Sequence, residues 1–243
     1  MLQISHKFVL GKLSLIKLSM ILLCMLMFSD SITIAQSITW QRAYDGKYNS
    51  LDVSEDICDA GNGNFFIVGT TEIPDSYYAL TVLKINEFGD TLWWRYKDSA
   101  VGKAIVTTDD GGCIVTGLRN KPFTMKLDSA GNTVWFKEYS GSVVFSGYDI
   151  IRTNDNAYII CGTVRYDSAY IAKLDDNGNL MWQKSYGAGY RKSFRRIIEI
   201  DDGEFLAFGY LNSTSTDTTR ALISKISDSG KLITERTFIM NGI

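Results

Sequence analysis

Paired carboxylates are the main chemistry this sequence could offer. Glu55/Asp56, Asp109/Asp110, Asp175/Asp176 and Asp201/Asp202 each set two acids side by side. Glycoside hydrolysis needs no more than two carboxyl groups at the right separation. Three of the pairs fall in Gly-containing turns, where an Asp carboxylate bonds its own backbone two residues on. Turn chemistry is therefore their expected role. The one histidine, His6, lies in the leader. Without it the rest of the chain lacks the commonest general base and transition-metal ligand, and Ser-His-Asp or Cys-His nucleophilic schemes are excluded. Cys58, Cys113 and Cys161 show no metal-ligand spacing. Asp175-Asp-Asn-Gly-Asn179 alternates oxygens as part of a calcium loop would, but no bidentate acid closes it. The expectation is no catalytic residue, no metal, no cofactor, and a protein that is not an enzyme.

Binding chemistry is the alternative. Trp40, Trp93, Trp135 and Trp182 recur once per repeat and are expected to pack between repeats. Trp94 follows Trp93 directly and so faces the other side of its strand. It is the candidate ligand contact. Lys84, Lys126, Lys173 and Lys225 are expected to be solvated or to snorkel at a strand end. Arg191-Lys-Ser-Phe-Arg-Arg196 forms a local basic cluster on a loop and strand edge. The formal charge is −2, and near −4 without the leader, so a basic surface for nucleic acid is not indicated.

The elements that position these residues begin after a leader. Lys7, Lys12 and Lys17 precede an apolar run, Leu18 to Phe28, and Thr33-Ile-Ala35 supplies a small residue before Gln36. This pattern predicts a secretory signal peptide over 1–35. The run is short of the roughly 18 to 20 residues that span a bilayer, and no second apolar span follows. A secreted product is expected, in the periplasm, at the cell surface or outside, with no membrane span after cleavage.

Residues 36–243 repeat. Phe65-Phe-Ile-Val-Gly69, Cys113-Ile-Val-Thr-Gly117, Tyr158-Ile-Ile-Cys-Gly162 and Phe205-Leu-Ala-Phe-Gly209 are one landmark. A second starts at Lys84, Lys126, Lys173 and Lys225, with an Asn, Asp or Ser two residues on and a Gly five residues on; a Trp follows in the first three units and Thr234 in the fourth. A period of roughly 42 to 52 residues with four short strands per unit predicts propeller blades. Aromatic and β-branched richness with frequent Gly agrees with an all-β chain.

The predicted fold is thus a β-propeller of tandem four-stranded antiparallel blades, over about 50–97, 98–139, 140–186 and 187–240. An orphan strand at 37–44 carries Trp40-Gln-Arg-Ala-Tyr44, matching Trp182-Gln-Lys-Ser-Tyr186. Two readings of that strand stay open: a ring of four blades that closes, or a shortened product of a longer parent.

The unit Trp-x-Lys-x-Tyr, Asp-Gly-Gly-x-x-x-x-Gly and Lys-Leu-Asp-x-x-Gly-Asn-x-x-Trp resembles the secreted propeller-type repeat proteins of Bacteroidota. Lys173-Leu-Asp-Asp-Asn-Gly-Asn-Leu-Met-Trp182 is also similar to the repeat of quinoprotein-like propellers with a pyrroloquinoline-quinone-type motif. The resemblance covers Trp40 to Phe238 and implies the same fold. Members of the first group often carry a C-terminal sorting domain for type IX secretion, which this sequence lacks. The functional expectation is an exported, non-catalytic binding or scaffold module for an extracellular ligand, protein or carbohydrate, that could self-associate through an open blade edge. A degenerate enzyme, quinoprotein-like or glycosidase-like, and a non-functional fragment of a longer surface protein are the alternatives.

Overall fold

The computed structural model describes residues 42–45, 52–74, 78–119, 121–139, 145–164, 167–187, 191–201, 203–213 and 218–239. The expected leader, 1–35, and Trp40 lie outside them. The described elements are all strands, and no helix among the described residues is long and apolar enough to cross a membrane. Blade 1 comprises β1 (Asp52–Gly61), β2 (Asn64–Thr71), β3 (Ala79–Ile85) and β4 (Thr91–Asp98). Blade 2 comprises β5 (Val101–Thr107), β6 (Cys113–Arg119), β7 (Lys121–Leu127) and β8 (Thr133–Glu138). Blade 3 comprises β9 (Phe145–Arg152), β10 (Tyr158–Val164), β11 (Ser168–Leu174) and β12 (Leu180–Tyr186). Blade 4 comprises β13 (Arg191–Asp201), β14 (Glu204–Ser213), β15 (Thr218–Ile226) and β16 (Leu232–Ile239). Each blade is an antiparallel sheet in chain order. The all-β, four-bladed architecture expected from the repeats is the one observed. Arg42–Tyr44, the described part of the expected orphan strand, belongs to none of the four sheets.

The turns follow from their residues. Asp128 Oδ1 accepts the backbone N–H groups of Ala130 and Asn132, and Gly131 closes the loop at φ +80°. Asp175 does the same for Asn177 and Asn179 around Gly178 at φ +72°. Positive φ is available to Gly without a steric cost, so this hairpin recurs wherever the Asp and Gly recur.

Three apolar clusters form the core, one at each junction between successive blades. Phe66, Val68, Leu80 and Val82 of blade 1 meet Ile105, Cys113, Val115, Phe123 and Met125 of blade 2. Ile114 of blade 2 meets Ile150, Tyr158, Ile160 and Ala172 of blade 3. Ile159, Cys161 and Ile171 of blade 3 meet Phe194, Ile197, Phe205 and Leu222 of blade 4. A fully buried Leu, Ile or Phe contributes about 1.5–3 kcal/mol, so the stability resides between sheets rather than within them. Cys58, Cys113 and Cys161 carry free thiols. Burial in the junctions pushes the Cys58 thiol up to about 12 and that of Cys113 higher still, which makes both poor nucleophiles.

The outer strands of blades 1, 2 and 3 clasp the blade that follows. Trp93, Trp135 and Trp182 lie over Gly131, Gly178 and Gly230, where an added Cβ would come within 2.6–2.9 Å of the indole. Tyr139 and Tyr186 donate their hydroxyls to the carbonyls of Gly178 (3.1 Å) and Gly230 (2.8 Å). Lys137 Nζ reaches Asn179 Oδ1 at 2.6 Å. Arg42 and Tyr44 make the same two contacts on blade 1, with Asp90 at 2.7 Å and the Gly89 carbonyl at 2.8 Å. Trp93, Trp135 and Trp182 therefore pack between blades, as their once-per-repeat spacing predicts.

The lysine expectation needs correcting. Lys173 is not solvated: its side chain is 3% exposed and its ammonium joins Asp155 (2.8 Å) to Asp228 of the next blade. Burial pulls its pKa down, but the hydrogen bonds to the two carboxylates outweigh that and raise it. Lys126 pairs with Asp110 at 2.9 Å and Lys225 with Glu204 at 2.6 Å. Sequence reading placed these lysines at a strand end but not beside the turn acids that fold back onto them.

Candidate functional site at the inner strands

The first strand of each blade, β1, β5, β9 and β13, packs against its counterpart in the next blade. Each carries a β-bulge at the same place. Glu55 is left unpaired between Ser54, opposite Gly69, and Asp56, opposite Val68. Lys103, Tyr148 and Arg195 occupy the equivalent places in blades 2, 3 and 4. The Gly landmark at the end of the second strand is what admits the bulge. A Cβ on Gly69, Gly117, Gly162 or Gly209 would fall on the carbonyl oxygen of Val53, Val101, Ser146 or Ser193. A bulge leaves a residue unpaired and re-aims its side chain, a common device beside binding sites.

The residues at and just after the bulge differ from blade to blade, while the framework around them does not. They read Glu55-Asp56, Lys103-Ala104, Tyr148-Asp149 and Arg195-Arg196. Lys103 Nζ lies 2.5 Å from Glu55 Oε1. The Arg195 guanidinium stacks on Tyr148, 3.8 Å from the ring centre, with Tyr210 on another side at 5.4 Å. Its Nη2 donates to the Tyr210 hydroxyl at 3.4 Å.

The acids one step further in bind the strands together. Asp56 Oδ2 accepts from the Ile105 N–H at 3.0 Å, and Asp149 Oδ2 from that of Ile197 at 2.8 Å. Arg196 Nη1 lies 3.3 Å from Asp149 Oδ1 and 4.0 Å from Asp56 Oδ1, which brings blades 3, 4 and 1 to one point. The two carboxylates therefore share one guanidinium and lie no more than roughly 7 Å apart. Burial raises the Asp149 pKa, the Ile197 N–H and Arg196 oppose the rise, and Asp56 adds to it. Asp149 is thus a carboxyl group displaced towards its neutral form beside a second acid.

The opposite ends of the inner strands carry clefts between blades. One, of about 430 Å³, is lined by Asn154, Asp155, Glu199, Gly203 and Asp228. Another, of about 220 Å³, holds Asp109, Asp110, Lys126 and Arg152. Arg152 pairs there with Asp109 across the junction, and Lys126 with Asp110 within blade 2.

Trp94 lies away from the inner strands, on β4, opposite Leu83 of β3. It is half-buried and stacks on Tyr96 at 5.6 Å. Its indole Nε1 is buried with no hydrogen-bond partner among the described residues. Of the sequence-level candidates, Glu55, Asp56, Arg195 and Arg196 come together at the inner strands, whereas Asp109/Asp110 and Asp175/Asp176 stay in turns. Lys103, Tyr148 and Asp149 were missed. The signal was present: these positions lie one or two residues before Ile105 and Ile150, where aligned repeats differ in charge.

No known protein family's sequence profile matches the chain, and no curated protein sequence does. Among solved structures, an endo-arabinase from Bacteroides thetaiotaomicron is similar over 79% of this chain and 82% of its own, at 11% identity and a TM-score of 0.47. An exo-1,5-α-L-arabinanase from a bovine ruminal metagenomic library is similar over 75% and 77%, at 12% identity and 0.46. The WD40 β-propeller domain of Doa1 is similar over 79% and 71%, at 10% identity and 0.36. The expectation that the chain is not an enzyme is corrected by these neighbours, since arabinanases stand among the proteins it is similar to. The lack of histidine, on which that expectation leaned, does not bear on a reaction that two carboxyl groups can run.

Proposed function

We propose that this chain is an exported propeller-type binding module whose ligand sits on the rim formed by the bulged residues of the inner strands. One observation carries the reading. The glycines, lysines and isoleucines that build the blades repeat from blade to blade, while Glu55, Lys103, Tyr148 and Arg195 present an acid, a base, an aromatic hydroxyl and a guanidinium from equivalent places. Framework positions repeat because packing repeats; positions free of packing can take on recognition. The basic, apolar and small-residue order of 1–35 supports export, and an extracellular glycan or protein is the proposed partner. Trp94 remains a proposed second contact on the outer strand.

The test is retention on immobilised polysaccharides and proteins from the producing cell's surroundings. Wild type is compared with Glu55→Ser/Lys103→Ser and with Trp94→Ala. Loss of retention in the first variant alone supports the inner rim; loss in Trp94→Ala alone moves the site to β4.

Glycoside hydrolysis is a second reading, favoured by the convergence of Asp56 and Asp149 on Arg196 and by the raised pKa of Asp149. In it Asp149 would donate a proton to the leaving oxygen and Asp56 would be the second carboxyl group of the pair. Release of reducing ends from arabinan or another polysaccharide, abolished in Asp149→Asn and Asp56→Asn, is the expected result. Unchanged release in both variants would remove this reading.

A further inference from the structure

The inner rim is uneven in charge. Between blades 1 and 2 the bulged Lys103 is neutralised by Glu55, its equivalent in the preceding blade. Between blades 3 and 4 the bulged Arg195 meets Tyr148 at that place, a ring face instead of a carboxylate. No carboxylate among the described residues lies within ion-pair distance of Arg195. The neighbouring Arg196 is served by Asp149 and Asp56. Arg195 is exposed, yet Tyr148 and Tyr210 hold its guanidinium on two sides. A guanidinium fixed in this way loses little freedom when it grips a planar anion with two parallel hydrogen bonds.

We propose that Arg195 is the anchor for a carboxylate on the ligand, and that the ligand is an acidic glycan of the hexuronate class. The proposal rests on the rim being the binding site. Tyr148 and Tyr210 flank the anchor, and Glu55 and Lys103 stand at the equivalent places of blades 1 and 2, so the rim offers both donors and acceptors. Sugar hydroxyls are donors and acceptors at once, so they match such a mixed rim. A peptide C-terminus offers the carboxylate without that array of hydroxyls.

The experiment is calorimetric titration of the full chain with tetragalacturonate, with its methyl ester, and with a tetrapeptide bearing a free or amidated C-terminus. The ester keeps the shape and removes the charge. Wild type should bind the acid at least about tenfold more tightly than the ester, the scale of a lost charge-assisted bidentate contact. Arg195→Gln should abolish that preference, so that acid and ester bind alike; Arg195→Lys should restore part of it, since a point charge lacks the fork. Thermal melts of each variant check that the fold is intact.

Equal binding of acid and ester, no effect of Arg195→Gln, preference for the free-ended peptide, or no binding at all would each overturn the proposal. Its failure is separable from failure of the rim itself. If Glu55→Gln and Lys103→Met weaken ester binding while Arg195→Gln changes nothing, the rim stands and the anchor falls. If none of the rim variants alters binding of any glycan that the protein retains, both fall.

Discussion

Blades 3 and 4 present the same face to very different surroundings. The face of blade 3 that meets blade 4 carries three devices: the Asp149 carboxylate for the Ile197 N–H, Trp182 over Gly230, and the Tyr186 hydroxyl on the Gly230 carbonyl. On the corresponding face of blade 4 the equivalent residues are Arg196, Thr234 and Phe238. None of them can repeat the contact, because an Arg cannot accept, a Thr cannot cover a glycine turn, and a Phe has no hydroxyl. Burial follows. Cys161 and Ile171 are inaccessible on blade 3, whereas Ile198 is 48% and Phe238 49% exposed on blade 4. Blade 1 is open on its other side: Ile57 is 58% exposed, while Ile105, Ile150 and Ile197 at the same position are at 4%, 4% and 1%. One repeat can therefore be folded in the same way as its neighbour and still not be built as a junction. Folding of a blade and docking of a blade are written in different residues.

Four sets of substitutions break or sharpen that contrast. The largest effect is expected where the two blades are alike. Gly162→Val and Gly209→Val both put a side chain on a carbonyl of the bulged strand. Each should cost about 3 kcal/mol or more, the scale of severe overpacking, measured by urea unfolding, with loss of the folded signal as the extreme outcome. A large difference between the two would mean that the blades differ internally after all.

Trp182→Ala should cost about 2 kcal/mol, since a half-buried indole packed on a turn is worth less than one in a closed core. Thr234→Ala at the equivalent exposed place should stay within about 0.5 kcal/mol. Equal losses, compared by thermal melts, would show that blade 4 uses its last strand as a clasp. The lysines give a smaller contrast. Lys173→Met strands Asp155 and Asp228, both more than half exposed, so solvent screening limits the cost to about 1–2 kcal/mol. Lys225→Met, at a pair one-third exposed, should cost about 0.5 kcal/mol.

The smallest effect is in the pH profile. Asp149 has its pKa raised above the ordinary 3.8 by burial. Its contribution to stability is complete below that value and is lost as pH rises through the raised pKa. Asp110, Asp128, Asp155 and Asp175 are lowered, so what they contribute is present at neutral pH and lost on acidification. Removing the titration in Asp149→Asn should therefore make the difference, variant minus wild type, climb as pH rises above the ordinary carboxylate value of 3.8. A flat difference would show that Asp149 is not the group that titrates.

Much of this was legible beforehand because it is local. Asp128 and Gly131 specify their hairpin through bonds that span four residues, and the alternation that places Trp93 and Trp94 on opposite faces needs only a strand. The site was less legible. Glu55/Asp56 stood out as adjacent acids and Arg195-Arg196 as a basic cluster, but nothing in the spacing said that they face each other. Tyr148 and Asp149 carry no motif, because a bulge is defined by its partner strand.

What the amino-acid order determined by itself was the repeat, the strands, their turns and the all-β class, since each rests on contacts within one blade or between adjacent ones. Only the tertiary structure decided that Gly69, Gly117, Gly162 and Gly209 make room for a bulge, that Lys173 is buried between two blades, and that Asp56, Asp149 and Arg196 converge from three of them. The bulge depends on the partner strand of the same blade, while the contacts of Lys173 with Asp228 and of Arg196 with Asp149 and Asp56 join residues about one repeat or more apart, with a geometry set by how rigid sheets stack. A side chain's partner across such a junction depends on where the whole sheet comes to rest, and no short stretch of sequence encodes that.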